Sequence, residues 1–138
     1  MKPPIYAGLA VGCATATWMF AEYALGLHAD PAGAGRWTGF LALIFPVLGV
    51  RWVAAKSALR GWSHACGAGL VFGLVGGLVG GAAIYLYHTQ VNPGFRVAGR
   101  PVDAGAQALA GALGALILGT ILTVTWHAIL RKRRDSHG

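Results

Sequence analysis

Glu22 is the one acidic side chain inside an apolar run of this 138-residue chain. A carboxylate in hydrocarbon costs several kcal/mol unless it is paired or neutralised, so a residue of this type at this place is a candidate for chemistry. It stands five residues before Leu27, about 7.5 Å from the end of its run at about 1.5 Å per residue. Arg36, Arg96 or Arg100 from the loops on that side would reach it, as would His88. Three readings follow: a structural tie between the first helix and those loops, a proton or substrate site, and a carboxylate that snorkels to the surface.

The histidines form a second constellation, with His28 and His88 at one face and His64 and His127 at the other. Four-helix membrane cytochromes ligate two haems with paired histidines near both surfaces. Those ligands sit a turn or more inside the bundle, whereas three of these four fall at run ends or in loops. Interfacial histidines are therefore expected and no cofactor, and a haem-dependent oxidoreductase ranks last. Glu22, His28 and His88 are ligand types that suit zinc, but without close spacing they predict no metal. The sequence has no phosphate loop, no nucleophile with a base at useful spacing and no cysteine pair with metal spacing. Cys13 and Cys66 lie in or beside apolar runs, where a thiol behaves as a small hydrophobe. Short loops leave little soluble surface for an active site, so no enzyme is expected.

The elements that must hold these residues follow from composition. Hydrophobic side chains make up 56% of the chain and charged ones 11%, and mean hydropathy is +0.59. A soluble domain carries about 25% charged residues, which excludes that class and leaves an integral membrane protein. A bilayer core about 30 Å thick takes about 20 helical residues per crossing. Four runs reach that length: Ile5 to Leu27, Trp37 to Ala55, Ala65 to Tyr87 and Gly105 to Leu130. The segments 28–36, 56–64 and 88–103 break them, the last with Asn92-Pro93-Gly94 as a turn signal. The expected fold is all-α, a single four-helix transmembrane bundle.

Net charge is +7, but the basic residues sit at the ends of apolar runs, which fits orientation in a bilayer and not nucleic-acid recognition. One side would hold Lys2, Arg51, Lys56, Arg60 and the run Arg131, Lys132, Arg133 and Arg134; the other Arg36, Arg96 and Arg100. That bias predicts both termini in the cytoplasm. Tyr6, Trp52, Trp62 and Trp126 fall at the inner level and Tyr23, Trp37, Tyr85 and Tyr87 at the outer, as headgroup-level aromatics should. The apolar run continues about ten residues past Ala14-Thr15-Ala16, which would imitate a signal-peptide cleavage site, so the first span is expected to be retained. Arg131 to Arg134 stop translocation and attract anionic lipid headgroups at about 1 kcal/mol per residue.

In lipid, helix association leans on small residues that let backbones approach. Gly69, Gly73, Gly77 and Gly81 recur every fourth residue on one face of the third span, and Ala104, Ala108, Gly111, Ala115 and Gly119 offer a facing surface on the fourth. Gly8 and Gly12 do the same on the first. The stripe predicts a contact within the bundle, with a homodimer or a larger membrane complex as the alternative. Pro46 predicts a kink in the second span.

The segment Phe20-Ala21-Glu22-Tyr23-Ala24-Leu25-Gly26-Leu27-His28 and the turn Val91-Asn92-Pro93-Gly94-Phe95 resemble the small bacterial membrane proteins grouped as domain of unknown function 4199. The resemblance covers nearly the whole chain, including span layout and loop order. It implies an inner-membrane protein and no particular activity. The two motifs fall on one side of the membrane, so Glu22, His88, Asn92 and Arg96 could meet in one outward-facing polar site. The sequence thus predicts a non-enzymatic accessory or structural membrane component, with a small proton- or cation-coupled transporter using Glu22 as the alternative.

Overall fold

The computed structural model describes residues 2–29, 35–57, 59–97 and 100–135. The chain is all-α apart from one small hairpin. The helices are α1 (Lys2–Ala24), α2 (Gly35–Leu41), α3 (Ile44–Lys56), α4 (Trp62–Leu86) and α5 (Ala104–Asp135). A 3-10 turn, Leu27–Ala29, follows α1, and a π-turn, Tyr87–Val91, extends α4. Four helical segments are long and apolar enough to cross a membrane: Lys2–Ala24, Trp37–Lys56, Trp62–Val91 and Ala104–Lys132. Leu74 and Leu78 on α4, and Leu109, Leu113, Ile117 and Ile121 on α5, are at least half exposed. An apolar surface of that extent suits hydrocarbon and not water.

Each boundary has a local cause. Pro3 and Pro4 fall in the first turn of α1, where a missing N–H has no intrahelical acceptor to lose, so the helix starts earlier than the apolar run. It ends earlier too. Gly26 adopts φ +73°, a left-handed conformation that stops the helix, and its N–H donates back to the Tyr23 carbonyl at 2.9 Å. Asp103 caps α5: its Oδ1 accepts the Ala106 N–H at 2.9 Å.

The second span is broken, not merely kinked. Pro46 has no N–H for the Ala42 carbonyl, which instead accepts from Phe45 at 3.2 Å, and the preceding bonds Ala42 to Gly39 and Leu43 to Phe40 are of the same tight i to i−3 type. The interruption at Ala42–Leu43 thus sits one turn before the proline. The polar segment after α4 adds a two-residue hairpin, β1 (Arg96–Val97) against β2 (Arg100–Pro101), with Arg96 opposite Pro101.

Helix α4 is the axis of the bundle, packed most extensively on α5 and next on α1, while α3 lies against α1 and α5. The glycine stripe sets the α4–α5 spacing. A Cβ on Gly69 would lie 2.8 Å from Thr120 Cα, on Gly73 2.7 Å from the Ala115 oxygen, on Gly77 2.6 Å from the Ala112 oxygen and on Gly81 3.0 Å from the Ala108 oxygen. The reverse contact is as tight, with Gly119 2.9 Å from Gly73 Cα. Ala115 lies opposite Gly73, and Gly111 faces the side chain of Ile84. This face of α4 is therefore filled by α5. Gly8 and Gly12 of α1 meet the adjoining face of α4 at Phe72, Gly76 and Val79. Ala7, Val50, Val53, Ala68 and Phe72 form the buried cluster, and Phe72 is seated between Gly49 and Gly119.

Candidate functional site

Glu22 lies on the last turn of α1 and is 7% exposed. Its Oε2 is 3.7 Å from His28 Nε2. The left-handed turn at Gly26 folds the 3-10 segment back along α1, which brings a residue six positions on to the carboxylate. Among the described residues His28, and not His88, stands beside the carboxylate. The Arg36 side chain lies outside the described residues, and Arg96 and Arg100 are exposed on the hairpin.

From His28 the contacts run on to the end of α4. His28 Nδ1 and the Tyr87 hydroxyl are 2.5 Å apart, and Asn92 Nδ2 donates to the same hydroxyl at 2.9 Å. The Tyr87 hydroxyl thus accepts from Asn92 and shares a hydrogen bond with His28 Nδ1, while His28 Nε2 faces Glu22. The result is a chain of groups, Glu22, His28, Tyr87 and Asn92. The π-turn makes it possible. The Asn92 N–H reaches the Tyr87 carbonyl five residues back at 2.8 Å, widening the last turn so that the Asn92 side chain returns to Tyr87.

Tyr87 is the hub, only 2% exposed. Tyr23 packs edge-on to it with ring centroids 5.6 Å apart, His28 at 5.3 Å and His88 at 5.1 Å, with Phe20 and Phe95 at 6.2 and 6.3 Å. Tyr23 also donates its hydroxyl to the Val91 carbonyl at 3.3 Å. The ring system clamps the ends of α1 and α4 together. Sequence reasoning treated Tyr87 only as a headgroup-level aromatic; its placement beside His88 and five residues before Asn92 was the available signal.

His88 belongs to the ring cluster but not to the chain of polar groups. Its Nδ1 is buried with no hydrogen-bond partner among the described residues, and its ring lies 5.4 Å from that of Phe95. Bordering the network is a pocket of about 440 Å³, whose lining includes Tyr23, His28, Asn92, Phe95 and Arg96 but not Glu22. Glu22, His28 and His88 do not assemble a metal site: among the described residues no three His, Cys, Asp or Glu are grouped to hold an ion. At the other end, His127 is buried against Trp62 with ring centroids 5.1 Å apart, while His64 is exposed. Arg131 and Lys132 are exposed on the last turns of α5; the side chains of Arg133 and Arg134 lie outside the described residues.

The arrangement sets a carboxylate beside an imidazole that is hydrogen-bonded through a phenol to an amide, and it couples the ends of α1 and α4 mechanically. The chain matches none of the family models, curated proteins or solved structures compared with it.

Proposed function

We infer that the chain is a non-enzymatic, multi-pass accessory or structural component of a bacterial inner membrane, in which the Glu22–His28–Tyr87–Asn92 network ties the outer ends of α1 and α4. The observation that carries this reading is the burial of Glu22 against His28, with Glu22 absent from the lining of the pocket that His28 and Asn92 border. Both termini lie in the cytoplasm, in keeping with the excess of Lys and Arg at that end. The resemblance to domain of unknown function 4199 points to the same membrane. The bilayer is the principal partner, with Arg131, Lys132, Arg133 and Arg134 at the headgroups and no role for nucleic acid. Because α5 covers the glycine stripe, a homodimer or larger complex would form through other faces of the bundle.

A double-mutant cycle tests the tie. Glu22→Gln and His28→Ala should each lower the unfolding midpoint in detergent, and the pair together should cost less than the two summed, with a coupling of about 0.5–3 kcal/mol. Strict additivity would remove the tie.

A second reading rests on Glu22 Oε1, which is buried with no hydrogen-bond partner among the described residues. An oxygen in that state is where a proton or small cation would bind in a coupled transporter. Proteoliposomes loaded with a pH-sensitive dye separate the readings. The structural reading expects proton entry no faster than in protein-free vesicles; entry abolished by Glu22→Gln would put the transporter reading first.

A further inference from the structure

The opposite end of the bundle holds a cleft of about 550 Å³ that the network does not involve. Pro3 and Pro4 at the start of α1 form an apolar wall, and Lys56, Ser57, Ser63 and His64 line the rest of its polar side. Lys56 ends α3, Ser57 caps it, and Ser63 and His64 lie in the first turn of α4. Three elements therefore supply one lining, and no acidic residue belongs to it.

Some donors at this end of the bundle are unpartnered. Ser57 Oγ is buried with no hydrogen-bond partner among the described residues. Helix α4 starts at Gly61, which has no side chain to cap it, and the first intrahelical bond runs from the Ala65 N–H to the Gly61 carbonyl at 3.0 Å. The N–H groups of Trp62, Ser63 and His64 precede that bond and have no acceptor within the helix. Neither α1 nor α4 has an acid in its first turn. The Lys56 ammonium, two hydroxyls and the positive end of a long helix together suit a tetrahedral oxyanion.

We propose that this cleft binds a phosphate group, as the phosphodiester of a membrane phospholipid or as a soluble phosphate. The phospholipid matches the whole lining better. The prolines offer no N–H to an anion and instead present apolar surface to the glycerol and the first acyl carbons. Trp52 and Trp62, each nearly half exposed, mark the same end of the bundle as headgroup level. The site is distinct from the Arg131–Arg134 run, which attracts any anionic surface; here the charge is backed by hydroxyls and backbone donors from separate elements.

Native mass spectrometry of the full delipidated chain in detergent, titrated with phosphatidylglycerol, tests this. One lipid should be retained preferentially. Lys56→Gln and Ser63→Ala should each weaken that retention about fivefold, while Ser63→Thr, which keeps the hydroxyl, restores it. Arg131→Gln combined with Lys132→Gln should leave it within about twofold, being outside the lining. Circular dichroism on each variant checks that the helices persist. Displacement of the lipid by millimolar inorganic phosphate would support the phosphate site and assign it to a soluble occupant; failure to displace assigns it to the lipid. The proposal is overturned if diacylglycerol, which has no phosphate, is retained as well as phosphatidylglycerol, if the tail variants weaken retention as much as Lys56→Gln, or if neither probe binds.

Discussion

Gly77→Val is expected to force α4 away from α5 and to cost about 3 kcal/mol or more. The reason lies in what the new atoms would meet. A Cβ at Gly77 would stand 2.6 Å from the Ala112 oxygen and 3.2 Å from Ala112 Cα, both backbone atoms that cannot rotate aside. Relief would require the two helix axes to separate, breaking the equally close approaches at Gly69, Gly73 and Gly119. Gly77→Ala should show the same direction with a smaller loss. Gly80 and Gly114 provide the control, because a Cβ at either meets nothing within 4 Å. Gly80→Ala and Gly114→Ala should stay within about 0.5 kcal/mol of the parent. Unfolding in mixed micelles by titration with a denaturing detergent, followed by tryptophan fluorescence, measures all four. Equal losses at Gly77 and Gly80 would mean that α5 does not pack on this stripe.

That contrast shows what sequence can carry in such a chain. Apolar length defines a span, so the four crossings were legible, and the four-residue recurrence of glycine identified a face that close backbone packing requires. The partner of that face was less legible, since a stripe suits a second copy as well as a neighbouring helix. Gly49, which with Gly119 makes room for Phe72, has no repeat to announce it. The break at Ala42–Leu43 was only half foreseen, because Pro46 identifies the carbonyl that loses its donor but not how the chain repairs the loss.

The polar site divides in the same way. Glu22 stood out because a carboxylate in an apolar run is costly, and Asn92 because Asn-Pro-Gly marks a turn. Their connection was hidden. It depends on a left-handed Gly26 that folds His28 back and on a π-turn that returns Asn92 to Tyr87, and neither leaves a periodic trace. By sequence three arginines and His88 are all candidates for Glu22, whereas His28 is tethered a few residues away and needs no ordering of a distant loop.

Tyr87→Ala should therefore be the most damaging change at the Glu22 end of the bundle, costing about 3–5 kcal/mol as a buried aromatic ring is lost. Five rings pack around Tyr87, two of them, Phe20 and Tyr23, fixed on α1. Tyr87→Phe isolates the hydroxyl from the ring. It preserves the packing but leaves His28 Nδ1 and the Asn92 amide without the partner they share, a loss of about 1–3 kcal/mol. The two effects separate by context. In a His28→Ala, Asn92→Ala background, Tyr87→Phe should become nearly silent, whereas Tyr87→Ala should keep most of its penalty. Hydrogen exchange at the last turn of α1 gives a local readout: Tyr87→Phe should raise exchange near Glu22 without affecting the α4–α5 seam. If Tyr87→Phe proves silent in the parent while Tyr87→Ala does not, the ring cluster alone joins α1 to α4, and the polar chain from Glu22 to Asn92 has no mechanical part in the bundle.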